Sequence, residues 1–146
     1  MHLACESGDI DLVKNIISHK DIDINVKDKQ MRTIIYSACK SKNLELVKYL
    51  ISLNKIDINP KRYKCYTILH SACESCELQI VQYIISLKVI NINALDPESR
   101  TPLHIASQNC FADIFEYLLS IPGINVSLKG NFNNLTFDFT VVYKKW

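Results

Sequence analysis

The sequence predicts an all-α solenoid: short helix–turn–helix units stacked in a row, with β-hairpin fingers between them. Three observations predict it. Alanine recurs at Ala4, Ala38, Ala72 and Ala106, each 34 residues after the last. Apolar pairs recur with it, at Leu12-Val13, Leu46-Val47, Ile80-Val81 and Ile114-Phe115, and at Ile16-Ile17, Leu50-Ile51, Ile84-Ile85 and Leu118-Leu119. Loop residues keep the same register, as in Asp23-Ile24-Asn25, Asp57-Ile58-Asn59 and Asn91-Ile92-Asn93. A fixed period of this size marks units that each bury one face on the next, so function is to be sought on surfaces.

One period reads as follows. Thr33 opens a short helix over residues 34–41, with Ile35, Ala38 and Cys39 sharing a face at helical spacing. Lys42-Asn43 breaks it, and a second helix runs from Leu44 to about Leu53. Its apolar stripe is Leu44, Val47, Leu50 and Ile51, with Glu45 and Lys48 opposite. Asn54 to Asn59 is a loop, and the stretch to the next threonine is short enough for a tight hairpin. Neither helix is long enough to be stable alone, so each unit depends on its neighbours.

The boundaries follow from the period. Residues 1–129 form the array, divided as 1–27 (partial), 28–61, 62–95 and 96–129, and residues 130–146 form a tail. Met1 falls at the position of Ile35, Leu69 and Leu103, so the first unit lacks its hairpin and the start of its first helix. No polar capping unit precedes it, which exposes Leu3, Leu12 and Ile16 and points to a fragment or to a neighbour that covers this face. In the tail, Gly130 to Asn134 reads as a turn-like linker. From Thr136 to Tyr143, Phe137, Phe139, Val141 and Tyr143 alternate as in a strand.

Composition narrows the function. The chain has 146 residues, 48% of them hydrophobic, enough for a continuous core. A formal charge of +2 argues for no nucleic-acid or membrane partner by itself, and no apolar run reaches 18 residues. The acidic start is unlike a signal peptide, so an intracellular, cytoplasmic location is expected. The six cysteines fit that compartment as reduced thiols. Cys5, Cys39 and Cys73 share one repeat position at steps of roughly 10 Å, too far apart to cross-link.

Apparent chemical motifs are weak. Cys73-Glu74-Ser75-Cys76 is a lone CxxC without two further zinc ligands. His2, His70 and His104 stand one or more repeats apart, too wide for one ion, and Tyr36 interrupts their column. No phosphate-binding glycine loop and no nucleophile beside a base is present, so neither catalysis nor a cofactor is expected.

Thr101-Pro102-Leu103-His104-Ile105-Ala106 resembles the signature of the ankyrin repeat, and Thr67-Ile68-Leu69-His70-Ser71-Ala72 and Thr33-Ile34-Ile35-Tyr36-Ser37-Ala38 are weakened copies. Proline suits a first helical position, where its missing N–H has no intrahelical partner, and threonine before it can cap the helix. Gly8-Asp9-Ile10-Asp11-Leu12-Val13 is similar to the family's inter-helix turn and second-helix start. A period of 34 also belongs to the tetratricopeptide repeat, whose tryptophan, glycine and tyrosine pattern is absent here. The resemblance covers residues 1–129. It also implies glycine at the hairpins and between the helices. This chain carries Met31, Cys65 and Ser99 in the hairpins, and Lys42, Cys76 and Cys110 between the helices. Each replacement would cost on the order of 1 kcal/mol if the backbone is unchanged.

The resemblance implies a non-catalytic protein–protein interaction module. Its partner would meet a concave face made of hairpin tips and first helices, and the histidines would be structural hydrogen-bonding residues. The tips would be Lys29, Gln30 and Arg32, then Arg62, Tyr63, Lys64 and Tyr66, then Pro97, Glu98 and Arg100; the first helices add Lys40, Glu74, Ser75, Gln108 and Asn109. Basic and aromatic residues in the middle finger favour a protein partner that is acidic or of mixed polarity. Asp28, Asp96 and Glu98 interrupt the basic stripe and argue against nucleic acid. The alternative is a structural segment of a longer array, assembling end to end or self-associating through its open N-terminal face.

Overall fold

In the computed structural model, residues 1–19, 21–29, 32–58, 66–127, 130–132 and 135–137 are described. Eight helices among them form four pairs: α1 (His2–Glu6) with α2 (Ile10–Ser18), α3 (Ile34–Lys40) with α4 (Leu44–Ser52), α5 (Ile68–Glu74) with α6 (Leu78–Ser86), and α7 (Pro102–Gln108) with α8 (Ala112–Ser120). First helices end, and second helices start and end, at steps of 34 residues, as the period requires. First helices pack on first helices along the row, α1 on α3, α3 on α5 and α5 on α7, and second helices touch in the order α4, α6, α8.

One continuous core fills the row. Its columns are the repeating residues: Ala38, Ala72 and Ala106, Cys39 and Cys73, Leu46, Ile80 and Ile114, and Leu50, Ile84 and Leu118 are all buried. Burying a leucine or isoleucine contributes about 2 kcal/mol, so most of the stability comes from units lending each other these faces. Burial pushes the Cys39 thiol up to about 12 and the Cys5 thiol up to about 11. Both are held as inert core thiols.

Loops reuse the same chemistry. Asp9 caps α2 by accepting from the Asp11 and Leu12 N–H groups, and Asn43 caps α4 by accepting from Leu46. Asn43 also donates to the Gly8 carbonyl at 2.8 Å, which ties two inter-helix turns together. In the long loops, Asp23 and Asn91 accept from the N–H two residues on. Asn93 reaches the next loop, donating to Gly123 O and accepting from Asn125 N, both at 2.8 Å.

The tail differs from the sequence-based expectation. Gly130–Phe132 is a strand (β1) and not a linker. It pairs antiparallel with β2 (Leu135–Phe137), with Phe132 opposite Leu135. That register leaves two residues between the strands, and a short β-hairpin satisfies its backbone groups locally. Residues 138–146, which carry the rest of the expected alternation, lie outside the described residues. In the fingers the described residues show tight turns without a strand ladder.

Candidate functional site

The first and third fingers are each positioned by a clamp that the sequence repeats. The Asp28 N–H donates to the Arg32 carbonyl at 2.9 Å, and the Arg32 N–H returns to the Asp28 carboxylate at 2.9 Å. The Arg32 guanidinium closes the turn on the same carboxylate at 2.8 Å. Asp96 and Arg100 repeat every bond, at 2.9 Å for the backbone pair and 2.7 Å for the others, and here Asp96 is fully buried. Arg100 also meets Glu98 at 2.8 Å. Both arginines are thus ion-paired at home, and two of the carboxylates that interrupt the basic stripe, Asp28 and Asp96, are structural. In the middle finger the corresponding residues are Arg62 and Tyr66, so the clamp pair is absent from its sequence.

Tyr66 stands in the arginine position. It packs 6.0 Å from the Tyr36 ring and 5.4 Å from the His70 ring, stacked on the latter. Burial pushes its phenol far above the usual range, and the nearby Glu74 carboxylate adds to the shift. Glu74 itself is exposed, at the end of α5.

Behind this surface runs a buried polar column. The His70 Nδ1 accepts from the Thr67 N–H at 3.1 Å, so the Nε2 carries the proton and donates to the Arg100 carbonyl at 3.0 Å. His104 forms the same box with Thr101. Tyr36 interrupts the histidines in sequence but not in role: its phenol donates to the Tyr66 carbonyl at 2.9 Å, the repeat equivalent of Arg100. A tyrosine cannot also return a ring nitrogen to the helix start, and the buried Thr33 hydroxyl has no hydrogen-bond partner among the described residues.

The neutral form of His70 satisfies both ring nitrogens, and burial lowers its pKa below 6.5. The unfolded chain therefore binds a proton that the folded chain refuses. This contribution is complete above pH 6.5 and is lost as pH falls from there towards the folded-state value. Urea unfolding at pH 7.5 and pH 5.5 should show lower stability at the acidic end, with a smaller difference in His70→Gln. An unchanged difference in that variant would remove His70 as the source.

The structure sorts the expected partner-binding residues. Lys29, Lys40, Glu74, Pro97, Glu98 and Asn109 are exposed, while Arg32, Tyr66, Arg100 and Gln108 are half-buried. Gln30, Arg62, Tyr63 and Lys64 lie outside the described residues. Ser75 departs from the expected exposed position: it is 4% exposed, and its hydroxyl donates to the Ala72 carbonyl at 2.7 Å. The reason is legible in the period, because Ser7 and Ser41 make the same bond to Ala4 and Ala38. Repeating serines close the helix ends and belong to the scaffold.

The sequence reading missed one column. Tyr49, Tyr83 and Tyr117 recur on the second helices, and Lys14 and Lys48 lie over the first two rings at 5.5 Å and 6.0 Å. Their 34-residue spacing is the signal that would have found them, and it marks them as structural too. Among the described residues no three metal-ligating side chains converge, and no helix is long and apolar enough to cross a membrane.

Comparison with known proteins agrees with this geometry. The family model for ankyrin repeats matches in three copies, over residues 1–96 and 61–130. No curated protein matches the chain. With helix pairs in register, threonine–histidine boxes at two helix starts and a family match across most of its length, the chain belongs to the ankyrin repeat family, whose repeats generally serve in protein–protein interaction.

Proposed function

We propose that the chain is a non-catalytic module that holds one protein partner on the exposed face of its first helices and the tips of its fingers. One observation carries this reading. The core residues repeat in type through the array, whereas the positions of Lys29, Lys40, Glu74, Pro97, Glu98 and Asn109 change residue type between units, and these residues are exposed along that face. The repeat pattern does not dictate these positions, and exposed positions of that kind on a rigid scaffold are where recognition resides. The middle finger strengthens the reading, because Arg62, Tyr63 and Lys64 replace a clamp residue and its neighbours with interface-prone side chains.

The test is affinity capture with the wild-type chain and with Arg62→Ala/Tyr63→Ala/Lys64→Ala. Tyr66 is left intact because its packing would confound the result. A partner retained by the wild type should be weakened at least tenfold by the triple variant, at unchanged melting temperature. Equal retention would place the contact elsewhere.

A second reading rests on a different face. Leu3 is 82% exposed, whereas its equivalent Ile105 is 1% exposed, and the equivalents of the exposed Leu12 are all buried. Such a face fits another helix pair of the same pattern, as in end-to-end assembly. In sedimentation velocity, self-association that disappears in Leu3→Glu/Leu12→Glu favours this reading; a monomer at all concentrations sets it aside.

A further inference from the structure

The exposed ends of the first helices carry Glu6, Lys40, Glu74 and Gln108 at one repeat position, so formal charge alternates along the row as minus, plus, minus, neutral. Packed helices set the step at about 10 Å. At that distance the three ions neutralise one another only weakly. Among the described residues Lys40 forms no ion pair, while Arg32 and Arg100 have theirs. Glu6 accepts one long bond, from the Ser37 hydroxyl at 3.4 Å. Glu74 is exposed to solvent, and its charge is near enough to the buried Tyr66 phenol to help push that group's pKa up.

We infer that this row reads a dipolar protein segment, with an acidic side chain seated over Lys40 and basic side chains over Glu6 and Glu74. An extended chain advances about 10 Å in three residues, so the complementary pattern is basic-x-x-acidic-x-x-basic. This narrows the partner from acidic or mixed polarity to one charge order, and it rests on the binding face proposed above. It also explains why the clamped arginines are poor anchors for an acidic partner: each already has its carboxylate.

The probes are two peptides of equal length and opposite charge order, KGSEGSK and EGSKGSE, titrated into the full chain at low salt while backbone amide shifts are followed. The wild type should bind the first about tenfold more tightly, as expected from three exposed ion pairs, and the difference should shrink as salt rises. The variant Glu6→Lys/Lys40→Glu/Glu74→Lys should reverse the preference. Lys40→Glu alone should shrink it to about twofold, because only the two outer charges then favour the first peptide, and this variant leaves Tyr66 and Glu74 untouched. Equal binding of both peptides, with shifts confined to the first helices, would overturn the charge order and leave the binding face standing. Shifts confined to the second helices would count against the face as well. Absence of binding by either peptide would overturn the charge order.

Discussion

Asp96→Ala is expected to destabilise the array by about 3 kcal/mol. Asp96 is fully buried, and its carboxylate receives the Arg100 N–H and guanidinium at 2.7 Å. Removing it leaves a half-buried guanidinium with only the exposed Glu98 as counter-ion, and losing one partner of a buried pair typically costs about 3–5 kcal/mol. The damage extends beyond the turn, because the Arg100 carbonyl also accepts from His70 in the preceding unit. The matching change Asp28→Ala should cost about 1 kcal/mol, since both side chains of that pair are partly exposed. Urea unfolding of the two variants side by side measures the contrast. Equal losses would show that the third finger is not held by its buried carboxylate.

The second large effect runs in the stabilising direction. Lys42, Cys76 and Cys110 stand between the paired helices with φ of 59°, 58° and 57°. Gly8, at the same repeat position, has φ of 74°. The backbone is thus that of a glycine turn, although three of the four units lack the glycine. A non-glycine residue held there carries roughly 1 kcal/mol of strain, of which glycine's greater unfolded-chain entropy returns a part. Lys42→Gly/Cys76→Gly/Cys110→Gly should therefore gain about 2 kcal/mol, raising the melting temperature by roughly 6 °C. None of these three side chains makes a hydrogen bond or ion pair among the described residues that would offset the gain. A lower melting temperature would mean that the turn stores no such strain. Ser99 in the last finger, with φ of 63°, and Asn54 and Lys88 after the second helices, with φ of 52° and 57°, share this backbone region.

The architecture was legible because its signals repeat. Ala38, Leu46 and Leu50 recur in type and register, and periodic burial leaves a trace in every unit. Even the strained turns could be anticipated, since Lys42, Cys76 and Cys110 align with Gly8. Side-chain reach was not legible. Tyr36 looked like a break in the histidine column, yet its longer side chain delivers a donor to the equivalent carbonyl. Tyr66 looked like an exposed anchor, but nothing local in the sequence says that its ring lies between Tyr36 and His70. Ser75 was misplaced through neglect of its own recurrence at Ser7 and Ser41. Position within a repeat predicts burial well; which neighbouring group a polar atom finds depends on three-dimensional distance.

The account divides the surface into repeating residues that build the scaffold and non-repeating residues that meet the partner. An alanine scan read for both melting temperature and partner affinity tests that division most directly. Lys29, Lys40, Glu74, Glu98 and Asn109 should lower affinity with little change in melting, whereas Tyr49, Tyr83 and Tyr117 should lower melting and leave the affinity of the folded chain unchanged. Loss of affinity at the second-helix tyrosines, with none along the first helices, would contradict it.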